Sequence, residues 1–599
     1  MQQQRALLLA KRFLSNGRVS RFSSSRAVST TTQCRWSGDG DGKEEQKVSP
    51  DSFQRAKRGA FFQPRPQLYN TFVEDVFLRQ YLQRVMPVEV CEEVFADLER
   101  KYNAWGEKVD ELVTSSAWRT LHDIAAEEGM VAIAYERKHA QWSRLHQVAK
   151  TILWGPSSAL YSCPIAMTDG AAMLIESSGL TQELPQLGKA FARLTTRDPT
   201  NFWTSGQWMT ERRGGSDVGQ STDTVAVPQE DGSYRLYGYK WFTSATDADI
   251  AFTLARVQDP QGLVTPGSRG LSLFYLETRL GGGAHNSLEL VRLKDKLGTR
   301  QLPTAEVLLD GSTAHLVGTE GRGVATISPM LTVTRLHNSI ISAAYMRRIL
   351  QLSRDYSTRR TVVETRGCTL LGLETARLVG LKEAGLATKS DTLLLRLLNS
   401  INKLYTAKQA VAVISEGLES FGGAGYLEDT GLPVLLRDAQ VGTIWEGTTN
   451  VLSLDLLRVL QKVGPEILEV VTDTVKSRLS RLPLARCQLE SEADLIRDRM
   501  QDVVTFVLRA MGEEPQCLEV AARDLALSLA HVYISMLLVE QACSDRASPS
   551  DRVTAERWCS RSLQLSPLTS YTKSQTAADL SMVMDGHRLS HSIQPQHSL

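Results

Sequence analysis

The apolar residues of this 599-residue chain change period twice, and that change constrains its fold more than any other feature. From residue 70 to 205 they recur at three- and four-residue spacings, as on one face of a helix. After Gln207 they alternate. Residues 222–227, 234–242, 250–257, 270–276, 288–293 and 305–309 are short β-rich runs parted by Gly, Pro and Asp turns. From residue 324 helical spacing returns and persists past 460. Helices, then strands, then helices predict an α+β multidomain chain. Its parts are an N-terminal α-helical domain (70–205), a middle antiparallel β-domain (206–318), a C-terminal α-helical bundle (319–460), and a helical extension with a polar tail (461–599).

Within the first domain, Thr71 and Glu74 can form a capping box, and helices are expected over 88–113, 116–128, 140–153 and 185–194, with a small-residue stretch at 171–177. No strand is expected there. The extension predicts helices over 467–479, 492–511 and 517–543. Ahead of all this, Arg5, Lys11, Arg12, Arg18, Arg21, Arg26 and Arg35 stand among serines with no acidic residue before Asp39. That is the composition of a transit peptide (1–36) addressed to the mitochondrial matrix, followed by an unpatterned linker (37–69).

Chemistry concentrates in residues 207–245. Met209-Thr210-Glu211, followed by Gly214-Gly215-Ser216-Asp217, offers backbone N–H groups, small hydroxyls and a Gly pair that lets the chain approach a polar ring edge or a pyrophosphate. Lys240-Trp241-Phe242-Thr243-Ser244 ends a strand with an indole beside a hydroxyl. An indole can stack on a flat cofactor while the hydroxyl bonds its edge. The Glu230-Asp231-Gly232 turn lies between the two blocks, so neighbouring strands are expected to bring them together. A third block comprises FGGAGY at 421–426 and RDAQVGTIWEGTTNV at 437–451, in which Glu446 precedes Gly-Thr. Taken alone, such a Glu is also an ordinary helix-terminal cap.

These three blocks, in this order over roughly residues 70 to 460, resemble the acyl-CoA dehydrogenase family. The spelling MTERRGGSDV is most similar to the alkylation-response branch that contains the bacterial flavoprotein AidB. The resemblance implies FAD as cofactor, with Met209 and Thr210 at the flavin pyrimidine edge and Gly215 and Ser216 near the pyrophosphate. Trp241 would cover a ring face, with Phe242 and Thr243 near N5. Gly422 and Gly423 would approach the adenosine half of a neighbouring subunit's FAD. Gly447, Thr448 and Asn450 match cofactor-touching positions, and Asn450 stands where many members have Gln. Glu446 would be the catalytic base that takes the α-proton of an acyl-CoA while flavin N5 takes the β-hydride, giving the 2-enoyl-CoA. Arg335 is a weak substrate-side candidate. The family further implies a homodimer or homotetramer and an electron-acceptor flavoprotein as partner.

One segment departs from the family pattern. Tyr356 and Arg360 fit a flavin-contacting motif, but Val363 and Glu364 replace its Phe-Gly, and the residues that would turn the chain are missing. Read as one helix, 337–385 would be about 70 Å long, too long for such a domain, so a break is expected near 361–367. Cofactor retention is the property this departure bears on. Two other functions therefore stand beside the dehydrogenase: a flavoprotein that binds or sequesters acyl-CoA with little turnover, and a nucleic-acid-binding alkylation-response protein. The formal net charge of +1, and 15 Lys+Arg against 18 Asp+Glu in 461–599, a net of −3, disfavour a polyanion as main partner. Eight scattered cysteines without ligand spacing predict reduced thiols and no metal. No apolar run was expected to approach the roughly 18 residues of a membrane span.

Overall fold

The computed structural model describes residues 99–102, 108–215, 217–280, 285–353, 362–512, 515–563, 567–572, 574 and 576–578. The transit segment, the linker, the Thr71–Glu74 capping box, Ser216, Tyr356 and Arg360 lie outside them.

The first described elements correct the sequence expectation. Where a helix was expected over 88–113, strands β1 (Glu99–Tyr102) and β2 (Lys108–Leu112) pair antiparallel. The run Lys-Val-Asp-Glu-Leu at 108–112 alternates polar and apolar residues only briefly, so a period-two signal was masked by the helical spacing around it. Helices then follow as α1 (Ser116–Glu127), α2 (Ala132–Glu136), α3 (Ser143–Trp154), α4 (Ser162–Ser178) and α5 (Pro185–Leu194). The small residues of α4 have a packing cause. A Cβ on Gly170 would lie 2.9 Å from Met330 Cγ, so the helix that carries Met330 approaches α4 closely only because the site is bare.

The β-domain contains β3 (Ser205–Gln207), β4 (Val225–Pro228), β5 (Tyr234–Ser244), β6 (Ile250–Val257), β7 (Leu271–Glu277), β8 (Leu288–Leu293) and β9 (Thr304–Val317). Pairings run β3-β6-β4-β5-β9-β7, β7 returns to β6, and β8 lies on β9, so five strands close into a ring. Trp208, Leu236, Phe274, Leu276, Val307 and Leu309 fill its interior. The sheet is not wholly antiparallel, because β6 runs parallel to both β3 and β4. Alternation fixes which residues face the core but carries no information on strand direction.

Helices α6 (Ser328–Ser353), α7 (Val362–Glu383), α8 (Lys389–Ser420), α9 (Leu432–Gly442) and α10 (Thr449–Val463) form the C-terminal domain. Helix α6 ends at Ser353 and α7 begins at Val362, so the break expected near 361–367 does not fall on 362–367, and Gly367 is helical. A Cβ on Gly372 would meet Ile340 at 2.8 Å, which sets the middle of α7 against the middle of α6. The extension adds α11 (Glu466–Ser480), α12 (Glu490–Gly512), α13 (Pro515–Ala542) and α14 (Pro549–Ser562). The last of these helices falls within the stretch read as a polar tail. Its Thr554, Ala555, Trp558 and Cys559 are buried at helical spacing, although its overall composition is polar.

Far from hanging off the fold, the extension is packed into it. Ile534 of α13 sits 2.7 Å from where a Gly367 Cβ would be, and Arg366 donates to Asp551, Thr554 and Ser550. Arg478 joins Glu374 of α7 and Glu540 of α13. The start of α7, where the family segment departs, is thus held by α13 and α14. Helix α13 also corrects the expectation about membrane spans. It is long and apolar enough to cross a bilayer, yet most of its apolar length is buried as a core helix.

Candidate active site

The first two sequence blocks meet as expected. Trp241 N–H donates to the Thr210 carbonyl at 2.8 Å, and Glu211 pairs with Lys240 across an isolated bridge. Glu211 and Lys240 are both buried, with Nζ 2.7 Å from Oε1, and the same carboxylate accepts from Thr224 Oγ1 and the Asp223 N–H. Lys240 also donates to the Leu254 carbonyl. A buried ion pair is tolerable only when its remaining valences are filled, as here, and it clamps the loop after Met209 onto β5. Gly215 lies so close that a Cβ would stand 2.7 Å from Thr210 Oγ1.

A register shift between Lys240 and Thr243 turns Trp241 and Phe242 outward together, and Phe242 is 43% exposed. Met209 is half-buried beside them, packed against the main core. The indole is not bare, because Lys294 Nζ lies 3.0 Å from its centroid and Arg212 Cζ 5.3 Å from it. Burial lowers the proton affinity of Lys294, while Glu306 opposes that change. Thr243 points the other way from Phe242. It is fully buried, and its hydroxyl donates to the Ala305 carbonyl at 2.7 Å, inside the sheet. The bulge that frees Phe242 is what sends Thr243 inward.

The third block builds a carboxylate site between α9 and α10. Glu446 and Gly447 both have positive φ, 57° and 99°. For a non-Gly residue this left-handed turn costs on the order of 1–3 kcal/mol, and such strain persists only where its surroundings hold it. Three segments distant in sequence hold this one. Thr334 Oγ1 of α6 donates to Glu446 Oε2 at 2.8 Å, the Gln207 amide at the end of β3 lies near enough to the carboxylate to lower its proton affinity, and Lys403 Nζ of α8 donates to the Gly447 carbonyl at 2.5 Å. Glu446 lies deep in the protein yet keeps part of its surface open. Burial raises its proton affinity above the ordinary carboxylate range, against the opposing pull of Thr334, Arg335, Lys403 and Gln207. Burial likewise pushes the Lys403 ammonium down to about 7, with Glu446 opposing and Arg335 reinforcing the shift.

Arg335, the weak substrate-side candidate, is engaged by other groups of the protein. It is 17% exposed, and its Nη1 lies 3.4 Å from both Ser400 Oγ and Asp455 Oδ2. Burial works against ionisation of Asp455, but the hydrogen bond and charge of Arg396, with Arg335 and Ser400, hold its carboxyl down to about 2. Packing has turned this helix-surface arginine toward α8 and α10. Gly422 and Gly423 stand in an exposed turn with nothing within 4 Å of either Cβ position. Thr448 is the N-cap of α10 without a side-chain capping bond, and Asn450 is exposed on its first turn. Sequence reasoning assigned no role to Gln207, Thr334 or Lys403. A Lys in the middle of a mostly buried helix was the one available signal.

These residues fit a flat, polar cofactor. Gln207 Oε1 and Trp445 Nε1 are buried without a hydrogen-bond partner among the described residues, and Phe242 presents open aromatic surface on the same strand as Trp241. Fold and site together define a class: a flavin-type redox site on a ring of strands, faced by a buried carboxylate from a helical bundle. Family models place the chain within that class. They match the AidB N-terminal domain over 97–190, the acyl-CoA dehydrogenase middle domain over 206–312, the acyl-CoA dehydrogenase C-terminal domain over 321–461, and the acyl-CoA dehydrogenase 11 C-terminal domain over 466–584. Acyl-CoA dehydrogenase family member 11 of Caenorhabditis elegans is 44% identical over 85% of this chain and 90% of its own length. AidB of Escherichia coli (strain K12) is 31% identical over 72% of this chain and 82% of its own. The crystal structure of C. elegans ACDH-11 in complex with C11-CoA superimposes with a TM-score of 0.79 at 41% identity, covering 91% of this chain and all of that one. The chain belongs to the acyl-CoA dehydrogenase family, in its AidB-like branch, and its cofactor is FAD.

Proposed function

We propose that the protein oxidises an acyl-CoA thioester to the 2-enoyl-CoA, with Glu446 taking the α-proton. Its carboxylate carries this reading, because it lies deep in the protein on a strained turn, with burial raising its proton affinity. A carboxylate in water is too weak a base for a carbon acid, and desolvation strengthens it. Thr334 fixes Oε2 and so orients the carboxylate. The backbone N–H of Glu446, aimed by the same turn, is the chain's donor to the thioester carbonyl and stabilises charge that develops there. Bound FAD supplies the acceptor for the β-hydride. The C11-CoA in the nematode relative supports acyl-CoA as the substrate class. When acyl-CoAs of graded length are mixed anaerobically with purified protein, at least one is expected to bleach the flavin absorbance. Protein that holds flavin and bleaches with none of them would be a binding protein instead.

The cellular setting belongs to the same proposal. The protein works in fatty acid metabolism in the mitochondrial matrix, as a homodimer or homotetramer that passes electrons to an acceptor flavoprotein. Seven basic and no acidic residues before Asp39 support the address. Tyr426, 91% exposed, and Leu427, 55% exposed, in the Gly422–Tyr426 turn and just after it, support a subunit contact there. Protein isolated from mitochondria is expected to lack residues 1–36. Intact Met1 on the cellular protein, together with cytosolic fluorescence of a C-terminal fusion, would contradict this.

A further inference from the structure

Lys403 is a lysine with no accessible surface, in the middle of α8, and the proposed chemistry gives it no part. A buried ammonium is costly and persists only against a compensating partner. Among the described residues its one hydrogen bond runs to the carbonyl of Gly447, the residue that follows the proposed base, and Glu446 is the anion within its electrostatic reach. The other groups around that carboxylate come from every packed element: Gln207 from β3, Cys163 from α4, Thr334 and Arg335 from α6. Cys163 is buried, with its thiol pushed up to about 12, and carries no charge at neutral pH. Arg335 is already paired with Asp455. Among the described residues, Lys403 is therefore the cation facing Glu446 whose hydrogen bond goes to the Glu446-Gly447 turn and not to another carboxylate.

We propose that Lys403 is a positioning residue for Glu446: it anchors the left-handed turn through the Gly447 carbonyl and serves as the counter-charge to the ionised base. The inference rests on Glu446 being the base, and it goes further by assigning what holds and charges it. A neighbouring cation favours the ionised carboxylate, so losing it moves ionisation to higher pH. A purely structural strut would alter flavin content and stability but would leave the pH profile in place.

The test uses full-length, flavin-loaded protein: unsubstituted, Lys403→Met, Lys403→Gln and Glu446→Gln. Flavin bleaching is followed anaerobically across pH 5.5–9 with an acyl-CoA that bleaches the unsubstituted form. Both Lys403 variants are expected to keep flavin and to show the midpoint of the rate raised by about one pH unit, so the rate on the rising limb falls about tenfold while the high-pH plateau recovers. Thermal midpoints give a second readout that needs no turnover. Lys403→Met is expected to cost less in the Glu446→Gln background, where no buried anion is left unpaired. A superimposable pH profile at full flavin content overturns the proposal, and so does loss of folding in both Lys403 variants, which assigns the residue to the fold. If Glu446→Gln bleaches as fast as the unsubstituted protein, the base assignment itself has failed, whatever Lys403 does.

Discussion

Replacing Glu446 with Gln is expected to slow substrate bleaching of the flavin by about 10²–10⁴-fold, the range for loss of a general base. The amide keeps the shape of the side chain and can still accept from Thr334, so flavin content and acyl-CoA affinity should survive. The comparison is a single-turnover rate at saturating acyl-CoA with spectra taken before mixing. Equal rates would place the base on another element. The unsubstituted rate should also rise with pH in a particular window. The base acts ionised, and because burial raises its proton affinity, the rising limb lies above the ordinary carboxylate range near 4.5 and not at it.

Replacing Arg144 with Met is expected to destabilise the protein by about 3–5 kcal/mol, the range for removing one partner of a buried ion pair. Arg144 has no exposed surface and joins Asp169 of α4 to Glu383 of α7. Asp169 also meets His337 of α6 at 2.7 Å, Gln147 Nε2 at 2.9 Å and Tyr135 Oη at 2.7 Å. Burial works against ionisation of Asp169, but Arg144 and His337 outweigh it and hold the carboxyl well below its usual range. The Asp169 contribution is thus present above the unfolded carboxylate range and lost as pH falls through the folded value. Without Arg144, Asp169 keeps His337, Gln147 and Tyr135 but loses its arginine, and Glu383 stays buried without that partner, so both carboxylates bind protons more readily. The variant's deficit should therefore shrink at lower pH. Thermal midpoints of both forms at pH 5 and pH 8, at one scan rate, check this, and an equal gap at both would show that lost packing, not lost charge, is responsible. Since α6 also carries Thr334, loosening this cluster should lower flavin retention as well.

Much of the molecule is written locally. The alternations at 250–257 and 288–293 appear as β6 and β8, and 185–194 appears as α5, because a segment's own spacing of apolar residues decides which face it can bury. The meeting of Thr210 with Trp241 was legible too, from the two blocks read together, although an isolated bridge after β3 and not the β4–β5 hairpin makes it. Sequence alone also marked Glu446 as a candidate, through its block. It could not say that burial makes this carboxylate a stronger base, because desolvation is a property of whatever surrounds the residue. Nor could it choose Gln207, Thr334 and Lys403, which reach Glu446 from three elements scattered along the chain. Thr243 and Arg335 show the same limit from the other side: a bulge turned one into the sheet, and Asp455 drew the other across to α10. Periodicity is set by near neighbours along the chain. The parallel pairings of β6, the anchoring of α7 by the extension and the charge state of the site depend on which distant surfaces pack together, and that was decided only in the folded protein.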